Sequence, residues 1–238
     1  MIQLTEDESR TENEAIAFAR ANKKAIAKRV TDPNVYSPEE HPVSVFMAGS
    51  PGAGKTESSI ELLKQFEAPV IRIDADALRE EFPAYKGANA WLFQKGASIL
   101  VDKIHDLALD QRQSFVLDGT LSNYERARTN IERSLKKKRT VQILYVYQEP
   151  RLAWRFVQAR ESAEGRRIPA EKFVDQYFLA RDAVNRIKRD FGKEVRVDLL
   201  LKNIDNSTRT YHAGVDQIDN YIPENYSRDD VEKIVRES

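Results

Sequence analysis

The stretch "VSVFMAGSPGAGKTESS", Val43 to Ser59, constrains the fold more than any other part of the chain. Six residues of apolar and small character run into Gly49-x-x-x-x-Gly54-Lys55-Thr56, and a helical pattern follows. A strand that is apolar on both faces needs cover on both faces, which argues for a mostly parallel sheet with helices on either side. Glycines in the turn let successive N–H groups point inward without Cβ obstruction, and the next helix offers its positive end to the same point. Gly49, Ser50, Pro51, Gly52, Ala53, Gly54, Lys55 and Thr56 are therefore expected to cradle a nucleoside triphosphate, ATP or GTP. In that arrangement Lys55 reaches the β- and γ-phosphates and the Thr56 hydroxyl holds Mg²⁺.

The rest of the chain repeats the strand–helix alternation. Strands are expected at 68–74, 114–118, 140–148 and 195–203. Helices are expected at 54–66, from Ala75, over 89–111, at 124–135, at 151–162 and at 170–189. A first helix over 9–30 is suggested by the Thr11/Glu14 capping spacing and the Ile16, Ala19, Ile26, Val30 stripe. Three prolines in "TDPNVYSPEEHP" mark a connector. This gives an N-terminal helical extension at 1–42, a P-loop NTPase-type α/β core at 43–202 and a C-terminal extension at 203–238. The last of these is weakly patterned, with a capping box at Ser227 and Asp230.

Composition narrows the function. Lys plus Arg and Asp plus Glu both number 38, so no global field recruits nucleic acid or a membrane. The apolar runs fall far short of the roughly 18 residues that a spanning helix needs. An acidic, polar N-terminus is unlike a secretory signal, and the lack of any cysteine fits a reducing cytoplasm. Three scattered histidines, His41, His105 and His212, do not suggest a metal site. "KKKR" at 136–139 reads as a solvated helix end complementing the helix dipole.

What becomes of the γ-phosphate is read elsewhere. No N-K-x-D motif is present, and the third strand ends in one carboxylate, Asp118, where a mechanical ATPase usually has two. The second strand ends in "IDADALRE", which puts Asp74 and Asp76 at the carboxyl edge where open α/β sheets bind ligands. A carboxylate there can orient an acceptor hydroxyl and take its proton. Asp76 is the candidate base; Asp74 also suits a helix N-cap. Arg160, Arg166 and Arg167 flank and fill a turn between two helices, suited to closing cations over transferring phosphate.

Together "GSPGAGKT", "VIRIDADALREEFP", the helix carrying Asp102, "FVLDGT", and "AR" followed by "GRRIP" resemble the zeta toxins, P-loop kinases of bacterial toxin–antitoxin systems. The resemblance covers roughly residues 43–200. It implies phosphorylation of a nucleotide sugar, UDP-N-acetylglucosamine, and possible control by an antitoxin supplied in trans. It assigns the catalytic base to Asp76, phosphate and Mg²⁺ binding to Lys55 and Thr56, and the two lid arginines to Arg160 and Arg166, with Arg167 beside them toward the nucleotide. Asp102 and Asp118 match acidic positions around sugar and metal, usually glutamates, and Thr120 matches a substrate-contacting threonine. Asp74 is grouped with these on the substrate side. Ser122 stands where better-studied members carry a basic residue. Metabolic and polynucleotide 5′-hydroxyl kinases share the P-loop, the carboxylate and the lid arginines. A regulator that only binds nucleotide would need neither Asp76 nor the lid.

Overall fold

The computed structural model describes residues 4–165, 167–205 and 207–237. Six strands form one sheet in the order β2-β3-β1-β4-β5-β6. They are β1 (Val43–Ala48), β2 (Ile71–Asp74), β3 (Phe115–Asp118), β4 (Thr140–Tyr147), β5 (Val195–Lys202) and β6 (Thr208–His212). The pairings among β1 to β5 are parallel, and β6 runs antiparallel to β5 at the edge. The helices are α1 (Glu6–Val30), α2 (Lys55–Leu63), α3 (Gln94–Asp110), α4 (Tyr124–Lys136), α5 (Pro150–Glu164), α6 (Ala170–Phe191) and α7 (Arg228–Arg236).

Strand periodicity divides the core between the two faces. Phe46, Ile73, Ile143, Tyr145, Val197 and Leu199 join the large cluster that also takes in residues of α1, α3, α4, α5, α6 and α7. Val45, Met47, Val116, Leu144, Val146 and Leu200 point the other way, toward the smaller cluster beside α2. The chain leaves β1 for β2, returns to β3, then crosses to β4 on the far side of β1. The glycine loop therefore opens between the carboxyl ends of β3 and β4, at the point where the strand order reverses.

Several local expectations shift. The first helix begins at Glu6, and its capping box is Thr5 with Glu8. Thr11 lies inside that helix, its hydroxyl donating to the Asp7 carbonyl at 3.0 Å. Ala15, Ala19, Ile26 and Ala27 of α1 are part of the main core. Two ion pairs tie the helix further, Glu12–Lys95 at 2.7 Å and Arg29–Glu81 at 2.6 Å. The segment after β2 forms a 3₁₀ turn, Ala77–Glu81, and another 3₁₀ turn, Ala90–Phe93, precedes α3. Arg139 is a correction to the solvated reading of "KKKR": it is buried, donating to Ser44 Oγ at 2.7 Å and to the Val43 and Gln113 carbonyls. Burial lowers its pKa to about 10.

Strand β6 carries no sequence signal, because its residues are almost all exposed and polar. Its attachment comes from Asp198 on β5, a wholly buried carboxylate that accepts hydrogen bonds from Tyr211, Arg196, Gln142 and the Gly214 N–H. Residues of the C-terminal segment pack on the α5–α6 hairpin. Val231 and Val235 enter the main core, the Ser227/Asp230 capping box forms, and Arg228 pairs with Asp175 on α6 at 2.7 Å. Tyr226 donates to Glu149, the residue whose carboxylate caps the first turn of α5.

Candidate active site

The glycine loop is shaped by backbone requirements. Gly49 and Gly52 have φ of +133° and +71°, and a Cβ at either would stand 2.3 Å from the Val146 carbonyl or 2.0 Å from that of Ala153. Gly54, at the N-cap of α2, is left-handed (φ 84°), so no capping side chain covers the first-turn N–H groups. Uncapped donors at a helix N-terminus suit an anion. Lys55 Nζ reaches back over the loop to the Ser50 carbonyl at 2.6 Å. Burial lowers its pKa to about 8; Asp118 and Asp76 act to raise it, and Arg160 to lower it. Lys55 is thus tied electrostatically to Asp118, Asp76 and Arg160, three residues singled out in the sequence.

Beneath the loop lies a network that no sequence motif announces. Arg72 Nη2 is 2.6 Å from Asp118 Oδ2 and 2.8 Å from Asp74 Oδ2, and its Nε donates to Ser59 Oγ at 3.1 Å. Ser59 Oγ lies 3.0 Å from the same Asp118 oxygen and 2.8 Å from the Thr56 carbonyl. Asp74 and Asp118 are register partners on β2 and β3, so two carboxylates face one guanidinium. Burial and the neighbouring Asp76 push the pKa of Asp74 up, opposed by Arg72. Asp74 also accepts from the Asp76 N–H at 2.8 Å, which closes a local turn; the N-cap position expected of Asp74 falls instead on Asp76. A trace of this network is legible: Arg72 interrupts an apolar strand two residues before Asp74, which puts both on one face.

Asp76 starts the 3₁₀ turn without using its side chain as a cap, and pairs with Arg79 three residues on. Arg79 is buried and also donates to Gln94, the first residue of α3. Thr120 lies against the loop, its carbonyl accepting from the Gly49 N–H at 3.2 Å and its hydroxyl 2.9 Å from that of Ser122. Asp102 stands apart on the α3 surface, paired with Arg126 of α4 at 2.6 Å. Arg160 is on α5. Arg167, largely exposed, pairs with Glu161 at 3.8 Å, and Arg166 lies outside the described residues. Gly165 ends α5 with φ +71°, and a Cβ there would be 3.3 Å from Ala88, so the end of α5 abuts the loop that follows the Asp76 turn.

The family model for zeta toxin matches residues 26–216, most of the chain. The chain belongs to the zeta toxin family. Solved structures agree on the fold. A chain of the PezAT chromosomal toxin–antitoxin system of Streptococcus pneumoniae has 16% identity, covers 99% of this chain and 97% of its own, and gives a TM-score of 0.64. The AvrRxo1-ORF1:-ORF2 complex with ATP has 14% identity, covering 95% and 71% respectively, with a TM-score of 0.58. The same complex with sulphate ions has 14% identity, coverage of 95% and 72%, and a TM-score of 0.58. No curated protein matches significantly.

As a zeta toxin family member, the chain carries a donor set that can be tested against Mg²⁺. Among the described residues no cluster of three or more His, Cys, Asp or Glu groups is arranged to hold a metal. Mg²⁺ in phosphoryl-transfer sites takes one or two protein oxygens and completes its octahedron with phosphate and water. The Thr56 hydroxyl and the Asp118 carboxylate are hard oxygen donors of the kind that demand takes; a dedicated metal cage would not be expected. His105 has no part in it. Burial lowers its pKa to about 3, and its ring packs edge-on against Phe46 and Phe115.

Proposed function

We propose that this zeta toxin family member is a kinase that transfers the γ-phosphate of ATP or GTP to a hydroxyl of a nucleotide sugar, with UDP-N-acetylglucosamine as acceptor. The observation that carries the reading is the shared neighbourhood of Lys55, Asp76, Asp118 and Arg160 at the carboxyl edge of the sheet, beside an uncapped helix N-terminus. Binding alone needs the loop. A carboxylate placed beside the P-loop lysine and a lid cation serves transfer.

In this reading the loop from Gly49 to Thr56 holds the triphosphate, and Lys55 neutralises its β/γ end. Thr56 and Asp118 would hold Mg²⁺, which when bound would supply positive charge to offset that of the phosphates. Asp76 accepts the proton of the acceptor hydroxyl as the bond from that oxygen to the γ-phosphorus forms and the bond to the β–γ bridging oxygen breaks. Arg160 and Arg166 stabilise the charge on the transferring group, with Arg167 at the mouth of the lid. Asp74, Thr120 and Asp102 serve the substrate side; Asp102 does so by exchanging its Arg126 partner for the acceptor. The solved relatives include a toxin–antitoxin system and a two-protein complex, which supports an antitoxin partner in trans. Among the described residues no helix is long and apolar enough to cross a membrane. With the absence of cysteine, this supports action in the cytoplasm.

The test is mass spectrometry of the metabolites of a bacterial extract incubated with protein, ATP and Mg²⁺. UDP-N-acetylglucosamine should gain one phosphoryl group, and expression of the wild-type chain should arrest growth with cell-wall defects. Phosphorylation of a different alcohol would remove the toxin substrate and leave the kinase. ATP binding with no phosphorylated alcohol would remove the kinase.

A further inference from the structure

We propose that Arg79 is a positioning residue for the general base, holding the Asp76 carboxylate in one orientation while Gln94 holds the guanidinium. The inference rests on the reading of Asp76 as the base and adds what fixes that base in place.

Three observations converge. First, Asp76 and Arg79 are three residues apart in a 3₁₀ turn, not in an α-helix. With about three residues per turn, positions i and i+3 eclipse, so the guanidinium lies directly over the carboxylate. In an α-helix the same pair would be rotated apart by more than half a right angle. The departure from the expected helix at this point therefore aligns the pair.

Second, Arg79 is only 7% exposed, although arginine is among the residues least often buried. It is enclosed between the 3₁₀ turn and the start of α3. One terminal nitrogen meets Asp76, the other meets Gln94 Oε1, and Nε has no hydrogen-bond partner. A buried donor without a partner is destabilising, and a neutral apolar residue would pack here at lower cost. The guanidinium is retained where its planar fork can reach two elements at once.

Third, the carboxylate is 37% exposed and does not cap its own turn. A carboxylate that faces solvent can take several rotamers, and a guanidinium fixed on α3 through Gln94 selects one of them. Placement of a proton acceptor to within a few tenths of an ångström is what general-base catalysis requires.

The experiment uses the full chain with ATP, Mg²⁺ and UDP-N-acetylglucosamine, and compares Arg79→Gln, Arg79→Lys, Gln94→Leu and Asp76→Asn. Arg79→Gln should lower kcat by about 10- to 100-fold with KM for ATP changed less than about twofold, because the phosphate cradle is untouched. The acidic limb of the kcat profile should move to higher pH. Arg79→Lys keeps the charge and loses the fork, so it should restore the limb and recover kcat only in part. Gln94→Leu, which leaves Arg79 in place, should lower kcat by about 3- to 10-fold. In parallel, carboxyl ¹³C NMR of aspartate-labelled protein, with the signal assigned through Asp76→Asn, should show the Asp76 titration moving up in Arg79→Gln. This readout needs no acceptor. An unmoved titration, or a kcat loss matched only by a loss of folded protein, would overturn the proposal. If the titration moves while Asp76→Asn turns over normally, Asp76 is held as described but is not the base. The positioning role then falls with the reading it serves.

Discussion

At the phosphate end of the site, recognition is built from backbone. Gly49, Gly52 and Gly54 adopt positive φ, the first-turn amides of α2 are left uncapped, and one side chain, Lys55, crosses the loop. At the proposed acceptor side the carboxylates are paired with arginines: Asp74 and Asp118 with Arg72, Asp76 with Arg79, and, further out on the α3 surface, Asp102 with Arg126. Backbone recognition is rigid and fails when a glycine is replaced. Ion-pair recognition can exchange partners and is tuned by charge. A rigid cradle suits a constant group, the polyphosphate, whereas exchangeable pairs suit an acceptor that must enter and leave.

The largest effect expected is on transfer by Lys55→Ala, which should abolish turnover and weaken triphosphate binding. A charge-assisted hydrogen bond from the ammonium to phosphate contributes about 1.5–3 kcal/mol before catalytic effects. Wild-type turnover in this variant would remove the distinction between the two ends, since the cradle would then need no cation. Asp76→Asn should lower turnover by about 10²-fold with ATP affinity nearly unchanged, and Asp74→Asn should be milder. The reverse order in steady-state kinetics would move the base to Asp74.

Gly52→Ala tests the rigid end through stability instead of activity. Its Cβ would meet the Ala153 carbonyl in a left-handed conformation, so unfolding should become easier by about 2–4 kcal/mol in a denaturant titration. Gly192, also at positive φ (ψ −119°) but with nothing within 4 Å, is the control: Gly192→Ala should cost only the conformational strain, about 1–3 kcal/mol. Equal losses would show that close approach contributes nothing.

Proton linkage sharpens the comparison further. The pKa of Lys55 sits at about 8 in the free fold, and a bound polyphosphate should raise it. Near pH 8 nucleotide binding should therefore take up about half a proton, and affinity should fall as pH rises further. Calorimetry in buffers of different ionisation heat measures this directly; zero uptake would mean a lysine fully charged beforehand. For folding the sign is opposite to that of a stabilised lysine. Between about 8 and the ordinary value of 10.5 the unfolded chain holds the proton that the folded chain lacks, so this group's contribution to stability rises with pH. The smallest effect belongs to Asp102→Asn. Its exposed pair with Arg126 should be worth at most about 1 kcal/mol in unfolding. A change confined to the KM of the acceptor would place Asp102 on the substrate side, and an unchanged KM would make it a surface residue.

The sequence alone determined the parallel core and the phosphate cradle, because both are written in local spacing. The apolar runs at β1, β4 and β5 demand cover on both faces, and Gly49 to Thr56 carries its own geometry wherever strand precedes and helix follows. Tertiary structure decided what holds the carboxylates. Arg72 reaches Asp118 because β2 and β3 pair in register, and Arg79 reaches Gln94 because α3 packs across the 3₁₀ turn. Neither partner is near in sequence, so no spacing rule announces it. The N-terminal helix and β6 follow the same division. Of the apolar stripe expected for α1, Ala19 and Ile26 enter the main core and Val30 packs against it, whereas Ile16 does not and Ala15 and Ala27 take its place. The exposed residues of β6 carry no pattern; the strand pairs antiparallel with β5, and the buried Asp198 of β5 takes donors from it and from the loop that follows. Local chemistry is legible where one segment satisfies itself; a charge buried between segments is satisfied only once the chain has brought them together.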